Sequence, residues 1–271
     1  MTAMRQTTYT VEAYNLSHAT ENKIHDDTVA RKLGFTGGLV PGVEVYAYAT
    51  HPVVTKYGRA WLERGRMEAR FLTPLYDGRM ATVTAVETGA GLDLKLESDG
   101  VLCATGNASL GDAGMTPPAV ETYAKRLPPA EAKRPPADEA SLSPGTVLGT
   151  QPFVLTRERS EAYLADVRER HELYAREGLA HPGLLLRLCN LALRENVLLS
   201  PWVHTGSKVW NFAAAHIGDA LSARGRVVQN YAKKGHRLVD LDIILVANDN
   251  KVLAQVLHTA IYKLRHLAEN G

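Results

Sequence analysis

Residues 41–57 read PGVEVYAYATHPVVTKY, and residues 182–199 read PGLLLRLCNLALRENVLL. Each opens with Pro-Gly, and proline is tolerated in a first helical turn because the amide it lacks would have no partner there. In the first stretch Val43, Val45, Tyr46, Ala49, Val53 and Val54 form a broad apolar face, so the helix they predict must be covered. The residues that follow supply the cover. Strand-like runs at 66–75, 80–87, 92–97 and 101–110 are separated by Tyr-Asp-Gly, Thr-Gly-Ala-Gly and Ser-Asp-Gly turn signals. After the second stretch come runs at 207–214, 220–231, 237–247 and 252–264. A strand at 7–14 and a short helix at 27–33 precede the first apolar helix, and a polar helix at 157–170 precedes the second.

The two halves also match each other at a constant shift of 141, which places Pro41 on Pro182, Gly42 on Gly183, Trp61 on Trp202, Gly65 on Gly206 and Phe71 on Phe212. Between them, Pro117, Pro118, Pro128, Pro129, Pro135, Pro136 and Pro144 exclude a central strand or a long helix, with Pro152 just beyond. This segment is expected to be a covalent tether lying over the surface. The expected organisation is therefore an N-terminal unit at 1–112, a Pro-rich linker at 113–144 and a C-terminal unit at 145–271. A long helix wrapped by an antiparallel sheet is the hotdog arrangement. The expected class is α+β, a tandem hotdog whose two units share one sheet, because docking a second copy along an exposed edge strand removes an association liability.

Composition narrows the function. The 271 residues carry 31 Lys+Arg and 29 Asp+Glu, a net charge of +2, so no charge excess points to nucleic acid or an anionic membrane. Neither a signal-like apolar stretch nor a run of about 18 apolar residues is present, and a cytoplasmic location is expected. Cys103 and Cys189, with no CxxC or Cys/His spacing, read as buried thiols rather than a zinc site or a disulfide framework. No metal-ligand cluster, Gly-rich nucleotide loop or Gly-x-Ser-x-Gly elbow occurs, so no metal or separate cofactor is expected.

Residues 17–42, SHATENKIHDDTVARKLGFTGGLVPG, carry the chemistry. Asn22, His25, Asp27, Ala30, Gly34, Phe35, Pro41 and Gly42 match the order and spacing of a family signature, G-D-x-N-P-x-H-x-D followed by an Ala, a Gly-Phe and a Pro/Gly helix start. The chain resembles the (R)-specific enoyl-CoA hydratases and MaoC-like dehydratases in their double-hotdog form. The resemblance implies a hydro-lyase acting on an enoyl- or 3-hydroxyacyl-CoA thioester, with CoA entering only as part of the substrate. It also implies that one copy keeps the motif while the other makes room for the acyl chain. A homodimer of two-unit chains is a further expectation.

Two departures stand out. Ala19-Thr20 replaces the family's Gly-Asp, and Lys23 replaces its proline. Hydration of an enoyl thioester needs a base for the water, an acid for the α carbon and donors for the developing enolate oxygen. Thr20 can position water but cannot ionise, which leaves His25, with an ordinary pKa of about 6.5, as the motif's proton-transfer residue. Asn22 is assigned to orientation, and the Gly42 amide, at a helix N-terminus where glycine permits close approach, to the thioester oxygen. Gly34, Phe35 and Pro41 are placed at the substrate. Arg64 and Arg66, with Lys208, Lys233 and Lys234, are candidates for the phosphates of CoA. His171 and His181 are expected to be structural, and Asp27 to cap the short helix. The second copy has no such motif, so one active site per chain is expected. Two other readings compete: a binding protein that lost turnover with the aspartate, and a thioesterase using Glu21, Asp26 or Asp27.

Overall fold

The computed structural model describes residues 5–17, 23–32, 34–199 and 201–265. Its first unit contains β1 (Gln6–Glu12), α1 (Asp27–Lys32), α2 (Gly42–Tyr57), α3 (Arg59–Arg64), β2 (Gly65–Phe71), β3 (Met80–Thr88), β4 (Gly91–Ser98) and β5 (Val101–Leu110). The second contains β6 (Val147–Gly149), β7 (Phe153–Val154), α4 (Arg157–Asp166), α5 (Leu173–Glu177), α6 (Pro182–Arg194), β8 (Val203–Asn211), β9 (Ala220–Lys233), β10 (His236–Ala247) and β11 (Lys251–Lys263). The eleven strands form one sheet, in the order β1-β3-β4-β5-β2-β8-β11-β10-β9-β6, with β7 also on β9. The units join at β2 and β8, whose antiparallel register runs from Arg66 opposite Trp210 to Arg70 opposite Gly206. Among the described residues, no helix is long and apolar enough to cross a membrane.

Several boundaries differ from the sequence reading. Gly58, at φ 59°, ends α2 and starts α3, a short helix that hydropathy alone does not separate from its neighbour. The second apolar helix stops at Arg194 rather than 199, and α4 stops at Asp166, with Arg168 in a left-handed conformation soon after it. β6 and β7 are too short for an alternating pattern to show.

α2 and α6 pack side by side against the sheet. α2 is buried nearly all round, and even Glu44 is inaccessible, paired with Arg187 of α6. A main core cluster joins the two helices to both halves of the sheet, including Trp61, Trp202, Leu186, Val209 and Ile243. Cys103 and Cys189 are buried thiols.

The structural repeat runs at 140 rather than 141. Val40 N donates to Leu75 O as Ala180 N does to Ala215 O, the bridge Leu39–Tyr76 recurs as Leu179–His216, and Arg79 N to Tyr76 O recurs as Asp219 N to His216 O. The Pro-Gly, Trp and Phe identities that suggest a 141-residue shift therefore stand one residue out of structural register. Strand geometry enforces this. A one-residue slip turns every side chain to the opposite face, and it would place buried Met67 on exposed Lys208, whereas a shift of 140 places it on buried Ser207.

The Pro-rich segment is more than a tether. Val120 and Tyr123 pack on Ile244, Val246 and Val252, covering the outer face of β10 and β11. The Tyr123 hydroxyl donates to the Asp242 carboxylate at 2.8–2.9 Å. That cover explains why β10 reads as a continuous apolar run, Leu-Asp-Ile-Ile-Leu-Val-Ala, instead of alternating: both of its faces are buried.

Candidate functional site

The loop ahead of α2 is tied down residue by residue. Asp26, not Asp27, caps α1, accepting from Val29 N at 3.0 Å. Asp27 instead reaches across the loop to Gly38 N at 2.7 Å. The difference is one position: only the residue preceding the helix can turn its carboxylate onto the third helical amide. Asn15 donates to the His25 carbonyl at 2.9 Å. A Cβ on Gly38 would lie 2.4 Å from that same carbonyl oxygen, so the two backbones touch there.

This holds the His25 ring in place. Its Nδ1 lies 2.7 Å from the Leu39 carbonyl, which can only accept, so Nδ1 carries the proton and Nε2 the lone pair. Burial pulls the His25 pKa down to about 4, against the Leu39 hydrogen bond, so the ring is neutral at neutral pH.

His25, Pro41 and Gly42 meet in one cavity of about 30 Å³, whose other wall is Asn190, Trp202 and His204 of the second unit. That is room for one or two waters. Pro41 precedes the first helical residue, Gly42, so the first amides of α2 lie at the cavity. Gly42 is fixed by contact: a Cβ there would sit 3.0 Å from His204 Nδ1 and 3.0 Å from two ring carbons of Phe71.

Other residues singled out in the sequence lie elsewhere. Gly34, exposed at φ 88°, ends α1, with Phe35 N donating to Ala30 O. Phe35 packs in a satellite cluster with Ile24, Leu39 and Leu264, bracing the loop without lining the cavity. Arg64 donates to the Gly111 carbonyl at 3.0 Å, and Arg66 contacts Met115 and lies 4.0 Å from Asp112; both anchor the start of the Pro-rich segment. Lys208, Lys233 and Lys234 share a cleft of about 700 Å³ on the outer face of the sheet, with Arg70 and Tyr231. Thr20 and Asn22, and with them Glu21, lie outside the described residues.

At the matching end of α6 the first turn is tightly packed. His181, at the position of Pro41, caps the helix by accepting from Gly183 N at 3.0 Å, and a Cβ on Gly183 would collide with the Tyr163 hydroxyl and Ala47. His171 caps α5 by accepting from Leu173 N at 3.2 Å. Glu169 sits between His51, at 2.9 Å, and His181, at 3.6 Å. Burial alone would raise its pKa, but the imidazoles of His181 and His51 on either side hold it well below the usual carboxylate range.

Comparison with known folds follows this geometry. A Mycobacterium tuberculosis protein described as having a double hotdog fold aligns over 96% of this chain and 96% of its own, with a TM-score of 0.64 and 15% identity. The present chain is a double hotdog. A MaoC-like dehydratase aligns over 94% of this double hotdog and 98% of its own length, with a TM-score of 0.61 and 13% identity. A Chloroflexus aurantiacus protein provisionally described as a MaoC-domain dehydratase gives 96% and 95%, with a TM-score of 0.64 and 10% identity. Neither protein-family models nor curated proteins give a match.

Proposed function

We propose that this double hotdog is a hydratase or dehydratase of an enoyl or 3-hydroxyacyl thioester, carried by CoA or by an acyl carrier protein. One observation carries the reading: a small polar cavity joins an oriented, neutral imidazole to the N-terminus of a 16-residue buried helix. In the hydration direction, His25 Nε2 takes a proton from water as the oxygen bonds to the β carbon. The electron pair of the double bond moves toward the thioester, where the first amides of α2 and the positive end of its dipole stabilise the developing oxyanion. The imidazolium then returns the proton to the α carbon, and the ring is neutral again. Thr20 and Asn22 are assigned to water positioning and loop orientation.

Asp26 and Asp27, two of the carboxylates a thioesterase would require, are engaged with backbone amides, which favours hydration over hydrolysis. The cavity admits water but not an acyl chain, so its lining must open around the thioester, and Trp202 fluorescence should change on binding. The test is a panel of enoyl and saturated acyl-CoA thioesters, following loss of enoyl absorbance separately from free thiol release. Hydration without thiol release is expected. Thiol release alone would establish hydrolysis, and binding with neither reaction would leave a carrier-binding module.

A further inference from the structure

The second unit contributes an imidazole to this cavity that the reaction above does not use. His204 is buried on β8, its ring stacked on His258 at 4.0 Å between centroids and met edge-on by Phe71 at 4.8 Å. Its Nε2 lies 3.1 Å from the Gly206 carbonyl and 2.9 Å from Ser207 Oγ. The carbonyl can only accept, so Nε2 bears the proton and Nδ1 the lone pair. Ser207 Oγ in turn lies 3.0 Å from His258 Nδ1. The Gly206 carbonyl fixes the tautomer, and it leaves His204 Nδ1 against Gly42, buried and with no hydrogen-bond partner among the described residues. Asn190 on α6 presents a buried side-chain oxygen to the same cavity, also with no partner among the described residues.

Each of these buried acceptors requires a donor, and water is the donor that fits; with room for two waters, one serves Asn190 Oδ1 and the other, on His204 Nδ1, keeps its second hydrogen for His25. We propose that His204 is a second catalytic residue, its Nδ1 holding one hydrogen of the adding water while His25 takes the other. This rests on the hydratase reading and deepens it: the imidazole from the second unit fixes the water that the family's aspartate would hold where this chain has Thr20. No covalent step is added, because His204 orients the water's oxygen lone pair and keeps its own protonation state. Ser207 and His258 are positioning residues.

The test is steady-state hydration of a short trans-2-enoyl-CoA by the full-length wild type and by His204→Phe, His204→Asn and His25→Ala. Phenylalanine keeps the ring contacts and removes the acceptor, whereas asparagine can place an oxygen where Nδ1 stands. His204→Phe should lower kcat by about a hundredfold with KM little changed, and His204→Asn should stay within about tenfold of wild type. Thermal melts of each variant show that it is folded. Wild-type turnover in His204→Phe, or equal losses in the Phe and Asn variants, would overturn the role of His204 while leaving the hydratase reading standing. Absence of hydration by the wild type would remove both. A crystal structure of the free protein should show a water on His204 Nδ1, and a dry cavity would contradict the proposal independently of turnover.

Discussion

Gly42 connects stability and chemistry at a single Cα. A methyl group there meets His204 Nδ1 and the Phe71 ring at 3.0 Å, and neither neighbour is loosely held. Overpacking of this kind costs about 1–3 kcal/mol, against a helix-propensity gain for alanine of at most about 1 kcal/mol. Gly42→Ala should therefore lower the urea midpoint and reduce turnover together; unchanged stability and rate would show that the contact yields freely. At this scale the sequence is informative only where the chemistry is contiguous. His25 is legible because Asp27, Gly34 and Pro41-Gly42 follow it at fixed spacing. His204 is not: β-pairing opposite Ala260 and contact with Gly42, 162 positions earlier, bring it to the site, and nothing local marks it. Asn190 does leave a trace, as a polar residue on a helix face shared with buried Leu186 and Leu193.

Among the elements, the two apolar helices and the strands after them follow from periodicity and turn residues, because each pairs with its neighbour in the chain. The register between the copies does not. Identities at 141 compete with a fold that repeats at 140, and side-chain alternation in β2 and β8 decides the matter. Composition likewise tells only part of what the Pro-rich segment does, since prolines state what a segment cannot form and not what it covers. Its anchor is testable. Tyr123→Phe removes the hydroxyl from Asp242, leaving the Arg226 contact at 3.0 Å and the Gln255 contact at 2.9 Å. Loss of a hydrogen bond to a buried carboxylate should destabilise by about 1–3 kcal/mol in chemical denaturation, and no loss would mean that apolar contact alone docks the strap.

The whole molecule joins two unlike units: one presents the loop and helix N-terminus of the candidate site, while the other caps its equivalent helix with His181 and brings His204 to the same cavity. Burying so many imidazoles has a pH signature. Burial lowers the pKa of His25 to about 4 and of His258 to about 3, and lowers those of His181 and His204 as well. Above about pH 6.5 all are neutral in both folded and unfolded chains. As pH falls below that value, the unfolded chain takes up protons that the folded one refuses, so stability declines toward the folded pKa values, by about 1.4 kcal/mol per pH unit for each histidine. Denaturation midpoints should drop by an amount equivalent to several kcal/mol between about pH 7.5 and 5.5, and a flat profile would show that these rings are solvated. His25 stays neutral throughout that window, so if it is the base, as proposed, the acid limb of kcat/KM should lie near pH 4 rather than 6.5.

The most direct measurement compares hydration of a trans-2-enoyl-CoA by wild type and His25→Ala at matched ligand occupancy. Loss of enoyl absorbance without thiol release in the wild type, reduced about 10²–10⁴-fold in the variant with the fold intact, is the predicted result. Equal rates in the two proteins would contradict the placement of the reaction at His25.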